Sequence, residues 1–438
     1  MTIKPSLVAG KPPLLVKLEA GLPASAVEPV SYEWHFGDSQ GDLGNPVTHR
    51  YLNAGDYRVN LIVTDALGNI GRAEVVIKVF DFSRNSLSLP SGAGAMTWAD
   101  FNSDGMADLA VANRIQGELT VFQGQGNGGL ELSRTLGDGK NFSDVINVDF
   151  DKDGLADLAA SDLVNSVILI FTSNGKGAFK DPFQAQIYLE NSRVASGPSA
   201  MTHGDFDGDG NVDVATVNQA TDNVSVLLGD GEGRLALEHV FKPQRIGDVV
   251  ELQSADVDRD GLDDLIILNQ TTHQAEVHLS RGDGTFVFHL EVGAGERPSD
   301  LVVEDLDADG WVDIAICNKE GHDVSLWWGN ANARFDSPGR WQAGGAVDRI
   351  AAADVDGDGH TDLVTLDLAA GALRVILAQG NRFQAGASRA FEAPVDFALG
   401  GPLDSLLLAD LNDDGQPDVA VSEPEGVVNV LVNLMPRR

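Results

Sequence analysis

Beyond about residue 84, one pattern of apolar and polar positions recurs along the chain. A mixed apolar run, as in "AMTWADF" or "DLVVEDL", leads into an acidic loop, and a short apolar segment follows: "DLAVAN", "DVATVN", "DLIILN", "DIAICN". A polar turn, a second apolar segment ("NVSVLLG", "DVSLWWG"), a Gly-rich turn ("GQGNGG", "GDGEGR", "RGDG") and a more polar third segment complete the unit. Short apolar runs bounded by Gly, Asn and Asp predict strands, and no stretch keeps the 3.6-residue period of a long amphipathic helix. Each unit therefore predicts four strands, A to D, with A innermost.

The acidic loop marks the period. It reads "DFNSDGMADL" (100–109), "DFDKDGLADL" (149–158), "DFDGDGNVDV" (205–214), "DVDRDGLDDL" (256–265), "DLDADGWVDI" (305–314), "DVDGDGHTDL" (354–363) and "DLNDDGQPDV" (410–419). The first aspartates stand 49, 56, 51, 49, 49 and 56 residues apart. A period near 50 in a Gly-rich β sequence predicts the blades of a propeller. The last unit ends at "VVNVLVNLMPRR" without a D strand, and "RNSLSLP" (84–90) is the spare strand expected to complete that blade from outside. Such an exchange removes the exposed sheet edge that invites aggregation. The two 56-residue spacings predict longer connections at 189–199 and 391–404, on the face away from the acidic loops. Extra loop length on a rigid scaffold is where binding residues often sit.

The loop is D-x-[DN]-x-D-G-x-x-D. Oxygen donors at positions 1, 3, 5 and 9, with the carbonyl of position 7, suit one hard cation, and glycine at position 6 permits a sharp turn. The expected ligands are Asp100, Asn102, Asp104, Met106 and Asp108; Asp149, Asp151, Asp153, Leu155 and Asp157; Asp205, Asp207, Asp209, Asn211 and Asp213; Asp256, Asp258, Asp260, Leu262 and Asp264; Asp305, Asp307, Asp309, Trp311 and Asp313; Asp354, Asp356, Asp358, His360 and Asp362; and Asp410, Asn412, Asp414, Gln416 and Asp418. Position 7 varies freely, as a position that lends only its carbonyl would. Zinc calls for Cys or His side chains at ligand positions, and magnesium keeps most of its waters, so calcium, up to seven ions, is the expected metal. An EF-hand is excluded because position 12 falls in strand sequence (Val111, Thr216) and is not Glu.

The loops also account for the charge. The chain of 438 residues carries 66 acidic and 30 basic groups, a net −36, and 26 of the acids are loop ligands. Without them 40 acids face 30 bases. A nucleic-acid surface must be basic, so that class of partner is excluded. The one cysteine, Cys317, is expected to be a small buried hydrophobe in "DIAICN". No apolar run reaches the roughly 20 residues of a membrane helix, so no membrane insertion is expected. The start lacks an unbroken apolar signal segment, so the chain is either cytoplasmic or a mature fragment with an added Met, and the calcium chemistry makes the second the expectation.

The seven loops and their flanking strands resemble the FG-GAP repeats of integrin α-chain propellers and, more closely, bacterial VCBS/FG-GAP-like repeats. The resemblance covers about residues 84–438. It implies a seven-bladed β-propeller with calcium in the loop joining strands A and B, in an extracellular protein of adhesion, ligand-binding or polysaccharide-related role. Residues 1–81 differ: "SYEWHFGDS" (31–39), "VTHRYLNAGDYRVNLIVTDALGN" (47–69) and "AEVVIKV" (73–79) alternate as strands without an acidic loop. They resemble a PKD domain, an Ig-like β-sandwich, through Trp34, Gly37, Asp38, His49, Tyr51, Gly55, Tyr57 and Asp65. The expected architecture is all-β, a PKD sandwich followed by a propeller, with the sandwich as spacer or mount.

The expected function is an extracellular or cell-surface, calcium-binding, non-catalytic module that presents a protein or glycan ligand as part of a larger surface protein. A carbohydrate-active enzyme or its ancillary domain, and a structural piece of a surface assembly, are the alternatives. No nucleophile elbow or HExxH motif occurs. "RGD" (281–283) reads as turn chemistry, since the third unit has "GDGEG" at the same place. Of the adjacent Trp327 and Trp328, which point to opposite sides of a strand, one is expected between blades and the other is a candidate sugar-stacking residue.

Overall fold

The computed structural model describes all residues except 24, 25, 27, 90, 91, 138, 188–195, 245–247, 379–390 and 436–438. The chain divides into two compact units, one formed by residues 1–83 with the segment from Asn433, the other by Arg84–Val432.

The first unit holds a three-stranded and a five-stranded sheet. Leu14–Gly21 alternates buried and exposed residues along its length, the period-2 signature of a half-buried strand. Its inward residues Leu14, Val16 and Leu18 share one core with Trp34, Leu61 and Ile77 of the other sheet, which makes a β-sandwich. The large buried polar side chains find partners. Trp34 Nε1 donates to the Gly44 carbonyl at 2.8 Å, and Tyr51 Oη donates to the Phe36 carbonyl at 3.2 Å. His49 meets Asp38 at 2.7 Å and stacks on Phe36. Asp65 accepts the Leu67 and Asn69 amides and so closes the turn between the two longest strands.

The second unit is built from seven four-stranded antiparallel sheets. In the third, strands Pro198–Gly204, Asp213–Asn218, Asn223–Gly229 and Leu235–Phe241 follow in order from A to D. Burial peaks at the second strand of each sheet and falls outward from it. The B strands Asp108–Asn113, Asp157–Asp162, Asp213–Asn218, Asp264–Asn269, Asp313–Asn318 and Asp362–Asp367 are buried at all six positions, whereas D strands mix buried and exposed ones. That gradient explains why B strands read as continuous apolar runs and D strands as polar ones. Each innermost strand neighbours the next, and the seventh, Ser405–Ala409, neighbours the first, Ala93–Ala99.

The fourth strand of the seventh sheet is Phe82–Ser88, which starts two residues before the expected segment. Arg84 Nε and Ser86 Oγ both donate to Asn429 Oδ1, and the Leu89 amide donates to the Gly426 carbonyl. The seventh and first sheets share an apolar cluster that includes Leu109, Val111, Phe122, Ala420, Val428 and Val430. One sequence expectation is corrected. Residues 391–404 are not a connection between sheets, because Val395–Ala398 is the fourth strand of the sixth sheet, paired with Ala372–Ile376. The added length there precedes the D strand. The signal was obscured because the short D strand carries only four residues. The connection expected at 189–199 lies mostly outside the described residues, and Pro198 already belongs to an inner strand.

Candidate metal centres

All seven acidic loops share one backbone. Position 6 is glycine at φ between 76° and 92°, and position 4 is also left-handed, at φ between 57° and 76°. Position 4 is glycine only in the third and sixth loops; elsewhere Ser103, Lys152, Arg259, Ala308 and Asp413 accept that conformation. Non-glycine residues enter this region at a cost of roughly 1 kcal/mol, so its recurrence shows a loop shape imposed by its other bonds.

Those bonds are carboxylate to backbone. In the first loop Asp100 accepts the amides of Asp104 (3.1 Å) and Gly105 (2.9 Å), Asn102 accepts that of Asp104, and Asp104 accepts that of Met106. The same pattern runs through the fifth, sixth and seventh loops. Side chains at positions 1 and 3 are thereby turned inward, toward one another.

Position 9 has a second task that its spacing did not reveal. It opens strand B and is buried in all seven loops. Asp213 Oδ2 accepts the Phe206 amide at 2.8 Å, at the start of its own loop, and Oδ1 accepts the Gly229 amide at 2.8 Å, at the end of strand C. Asp108, Asp157, Asp264, Asp313 and Asp362 make the same two bonds, and Asp418 makes the first with Leu411. The residue ties the loop to strand C. Burial pushes the carboxyls of Asp108 and Asp157 up to about 6 and those of Asp213, Asp264 and Asp313 up to about 7, with nearby loop carboxylates adding and the two amides opposing. A cation among them would offset that unfavourable crowding.

Carboxylate oxygens lie within 4.8 Å of one another at positions 1, 3 and 9 in the second, third, fifth and sixth loops (Asp149, Asp151, Asp157; Asp205, Asp207, Asp213; Asp305, Asp307, Asp313; Asp354, Asp356, Asp362). In the fourth the set is Asp256, Asp258 and Asp260. These clusters can hold a metal ion. In the second loop Asp151 Oδ1 is buried without a hydrogen-bond partner, while Oδ2 meets Lys180 Nζ at 3.1 Å. A buried lone oxygen inside an all-oxygen donor set fits a hard cation. The carboxylates of Asp153, Asp209 and Asp309 stand outside the tight sets and accept the position-7 amides.

Position 7 does more than present backbone. A Cβ placed on Gly126, Gly175, Gly231 or Gly282 would meet the side chains of Met106, Leu155, Asn211 or Leu262, so these cover the C–D turn of their own sheet. Neighbouring loops also touch: the Arg259 guanidinium lies 3.9 Å over the Trp311 ring.

The other sequence candidates resolve simply. In the RGD turn, the Asp283 carboxylate accepts the Thr285 hydroxyl and, at 3.0 Å, the Thr285 amide, and these bonds hold it below the usual carboxylate range. Trp327 packs with the fourth and fifth sheets and donates Nε1 to the Gly293 carbonyl, and Trp328 packs with the fifth and sixth, so both serve packing between sheets. Cys317 is fully buried, and burial pushes its thiol up, away from nucleophilic use.

The sequence reading missed a central cavity of about 820 Å³, lined by residues of the inner strands. Asp144, Glu251, Asp300 and Arg349 lie on its wall. Burial raises the carboxyls of Asp144 and Asp300 to about 6 and that of Glu251 well above its ordinary value. These acids are scattered singly among apolar strand residues, and only the cyclic arrangement brings them together.

A β-sandwich followed by seven four-stranded sheets, each with an acidic loop between its first two strands, defines a propeller-type repeat protein with candidate metal loops. The model of the FG-GAP-like repeat matches residues 100–160, 149–216, 205–267, 256–316, 305–365 and 354–421, and the chain belongs to that family. Each match starts at one acidic loop and runs through the next, so six matches take in all seven loops. The PKD domain model matches residues 13–79. No curated protein matches the chain. Among solved structures, BBS1N in complex with ARL6DN, soaked with lead, aligns with a TM-score of 0.57 at 9% identity, over 81% of this chain and 96% of that one. A putative 6-phosphogluconolactonase from Bacteroides uniformis aligns with a TM-score of 0.52 at 11% identity, over 92% and 99%. Both likenesses concern the fold alone. FG-GAP-like repeats and PKD domains are typical of extracellular adhesion and ligand-binding proteins. Among the described residues, no helix is long and apolar enough to cross a membrane.

Proposed function

We propose that the chain is an extracellular, non-catalytic binding module whose propeller is held in shape by calcium, up to seven ions, and presents a protein or glycan ligand, with the PKD sandwich as its mount in a larger surface protein. The observation that carries this reading is the shared loop backbone, left-handed at positions 4 and 6, which converges carboxylates in loop after loop. Positions 1, 3, 5 and 9 supply the side-chain ligands and position 7 a carbonyl. Extracellular sites of this kind bind with Kd of about 10⁻⁴–10⁻³ M, so they fill outside a cell and stay empty in cytosol. Isothermal titration of calcium into chelator-treated protein tests the first step, with several sites in that range as the expected result. Absence of binding at millimolar calcium refutes it. A glycan array on the calcium-loaded protein tests the second.

The carbohydrate-active alternative draws on one observation, the raised carboxyls in the central cavity. Glycoside cleavage needs two carboxyls with separated acidities flanking the scissile bond. Release of reducing ends from polysaccharides, abolished by Glu251→Gln, would favour it over the binding module.

A further inference from the structure

We propose that the central cavity is a binding site for a small hydroxylated amine, an amino sugar or short aminated oligosaccharide. The inner strands place it there by register. The residue five positions before the first aspartate of each loop pairs with the fifth residue of strand B: Asp144 with Ser161, Glu251 with Leu268, Asp300 with Cys317, Arg349 with Leu366. In the second, fourth and fifth sheets the strand register shifts immediately before this residue. Such a bulge re-aims a side chain, here onto the wall of the cavity. The remaining three sheets put only Ala or Ser at the same level, which leaves the cavity open.

The charges there do not balance. Three carboxyl groups face one guanidinium at this level, and Arg114 is engaged with Asp404 (3.8 Å) and the Ser143 carbonyl. Asp144 and Asp300 are fixed by amides: Asp144 accepts those of Val145 and Met201, Asp300 those of Leu301 and Ile350, so each bridges to a neighbouring inner strand. Glu251 and Arg349 are not so tied. Among the described residues, Glu251 accepts only the Leu252 amide, through Oε1, and Arg349 donates only Nη1 to the Asp348 carbonyl. An acceptor and a donor on one cavity wall thus keep free bonding capacity, which a ligand or water can use. The surplus carboxylate calls for an ammonium group, and Arg349 calls for an acceptor oxygen on the same molecule. The rest of the wall is polar, with Thr202 bonded to Ser254 and with Ser254, Ser299 and Gln253 bonded to backbone of the inner strands, so it meets a hydroxylated ligand with the acceptor capacity those oxygens keep. The raised carboxyls agree, since a bound cation would relieve their crowding.

This inference rests on the ligand-binding reading and narrows it, and the test separates the two. D-glucosamine is titrated calorimetrically into calcium-loaded protein at neutral pH, beside D-glucose and D-glucuronate. Saturable glucosamine binding is expected, with the neutral and anionic sugars weaker by about tenfold or more. Glu251→Gln and Arg349→Gln are each expected to weaken it by about tenfold or more. Ser405→Lys, which tethers an ammonium at the same level of the wall, is expected to abolish glucosamine binding and raise the melting temperature. It needs no removal of a native bond and decides the matter should the other variants misfold. No saturable glucosamine binding to the wild type, or binding unchanged in folded Ser405→Lys, overturns the proposal. A different glycan retained on the array by these variants would leave the wider ligand-binding reading standing.

Discussion

Replacing Asp213 and Asp209 separately tests whether the acidic loop is one device or two. Asp213 is fully buried and accepts two backbone amides at 2.8 Å, from Phe206 and Gly229. Asp213→Ala strands both donors, at about 1–3 kcal/mol each, or about 2–6 kcal/mol together. The lower half of that range is expected, because removing the carboxyl also removes the burial penalty that raises it to about 7. Asp209 is exposed; its carboxylate accepts the Asn211 amide at 2.7 Å and the Asn211 side-chain amide at 2.6 Å, while its own amide, which the substitution keeps, donates to Asp207. In chelator, Asp209→Ala should therefore cost within about 0.5 kcal/mol of nothing, since it also relieves repulsion from Asp205 and Asp207. Urea unfolding followed by tryptophan fluorescence, in EGTA and in millimolar calcium, gives both values. Asp213→Ala is expected to be destabilised in both buffers, and Asp209→Ala only in calcium, where a ligand is lost. An Asp213→Ala midpoint equal to wild type in EGTA would refute the idea that position 9 ties the loop to strand C independently of metal.

Stability of the chelated protein should fall as pH rises from about 4 to about 7. The folded carboxyls of Asp108, Asp157, Asp213, Asp264 and Asp313 bind protons up to about 6 or 7, whereas the unfolded ones release them near the ordinary value, so the folded state holds more protons in that window. Melting temperatures measured in EGTA across this range check it, and a rise toward pH 7 contradicts it. Terbium added in place of calcium should luminesce through Trp311, at position 7 of the fifth loop, and Trp311→Phe should remove most of that signal. Arg259→Ala, which deletes the cation over that ring, should cost about 0.5–1 kcal/mol in thermal unfolding. Gly229→Val should destabilise strongly, because even a Cβ there would sit 2.1 Å from the Val212 carbonyl; a circular-dichroism melt equal to wild type would contradict the close approach.

What the sequence made legible follows from what repeats. The seven loops are visible because the same donors recur at the same spacing, and the B strands are visible because burial on both faces makes them uniformly apolar. The left-handed position 4 left a trace only in Gly208 and Gly357, since the other five loops accept the strain in ordinary residues. The staple at position 9 was hidden because its partner lies 16 residues away on strand C, beyond any local motif. The sixth sheet's D strand was misplaced because four residues, Val395–Ala398, carry too little pattern to stand out from a loop.

The cavity was hidden for a different reason. Asp144, Glu251, Asp300 and Arg349 are separated by 107, 49 and 49 residues in sequence, and a lone charge in a strand has many explanations. Only cyclic neighbouring of the inner strands turns the same register position in successive sheets into one wall. The two kinds of acid in this chain therefore differ in logic. Loop acids repeat in every unit, as expected for groups that give each sheet its shape. The acids of the wall break the repeat, with Ala, Ser or Arg at the equivalent place in other sheets. Asp144 and Asp300 also tie neighbouring inner strands together, whereas Glu251 bonds only the next residue's amide, and a departure from internal symmetry at a converging position that bridges no strands is where a specific ligand would leave its mark.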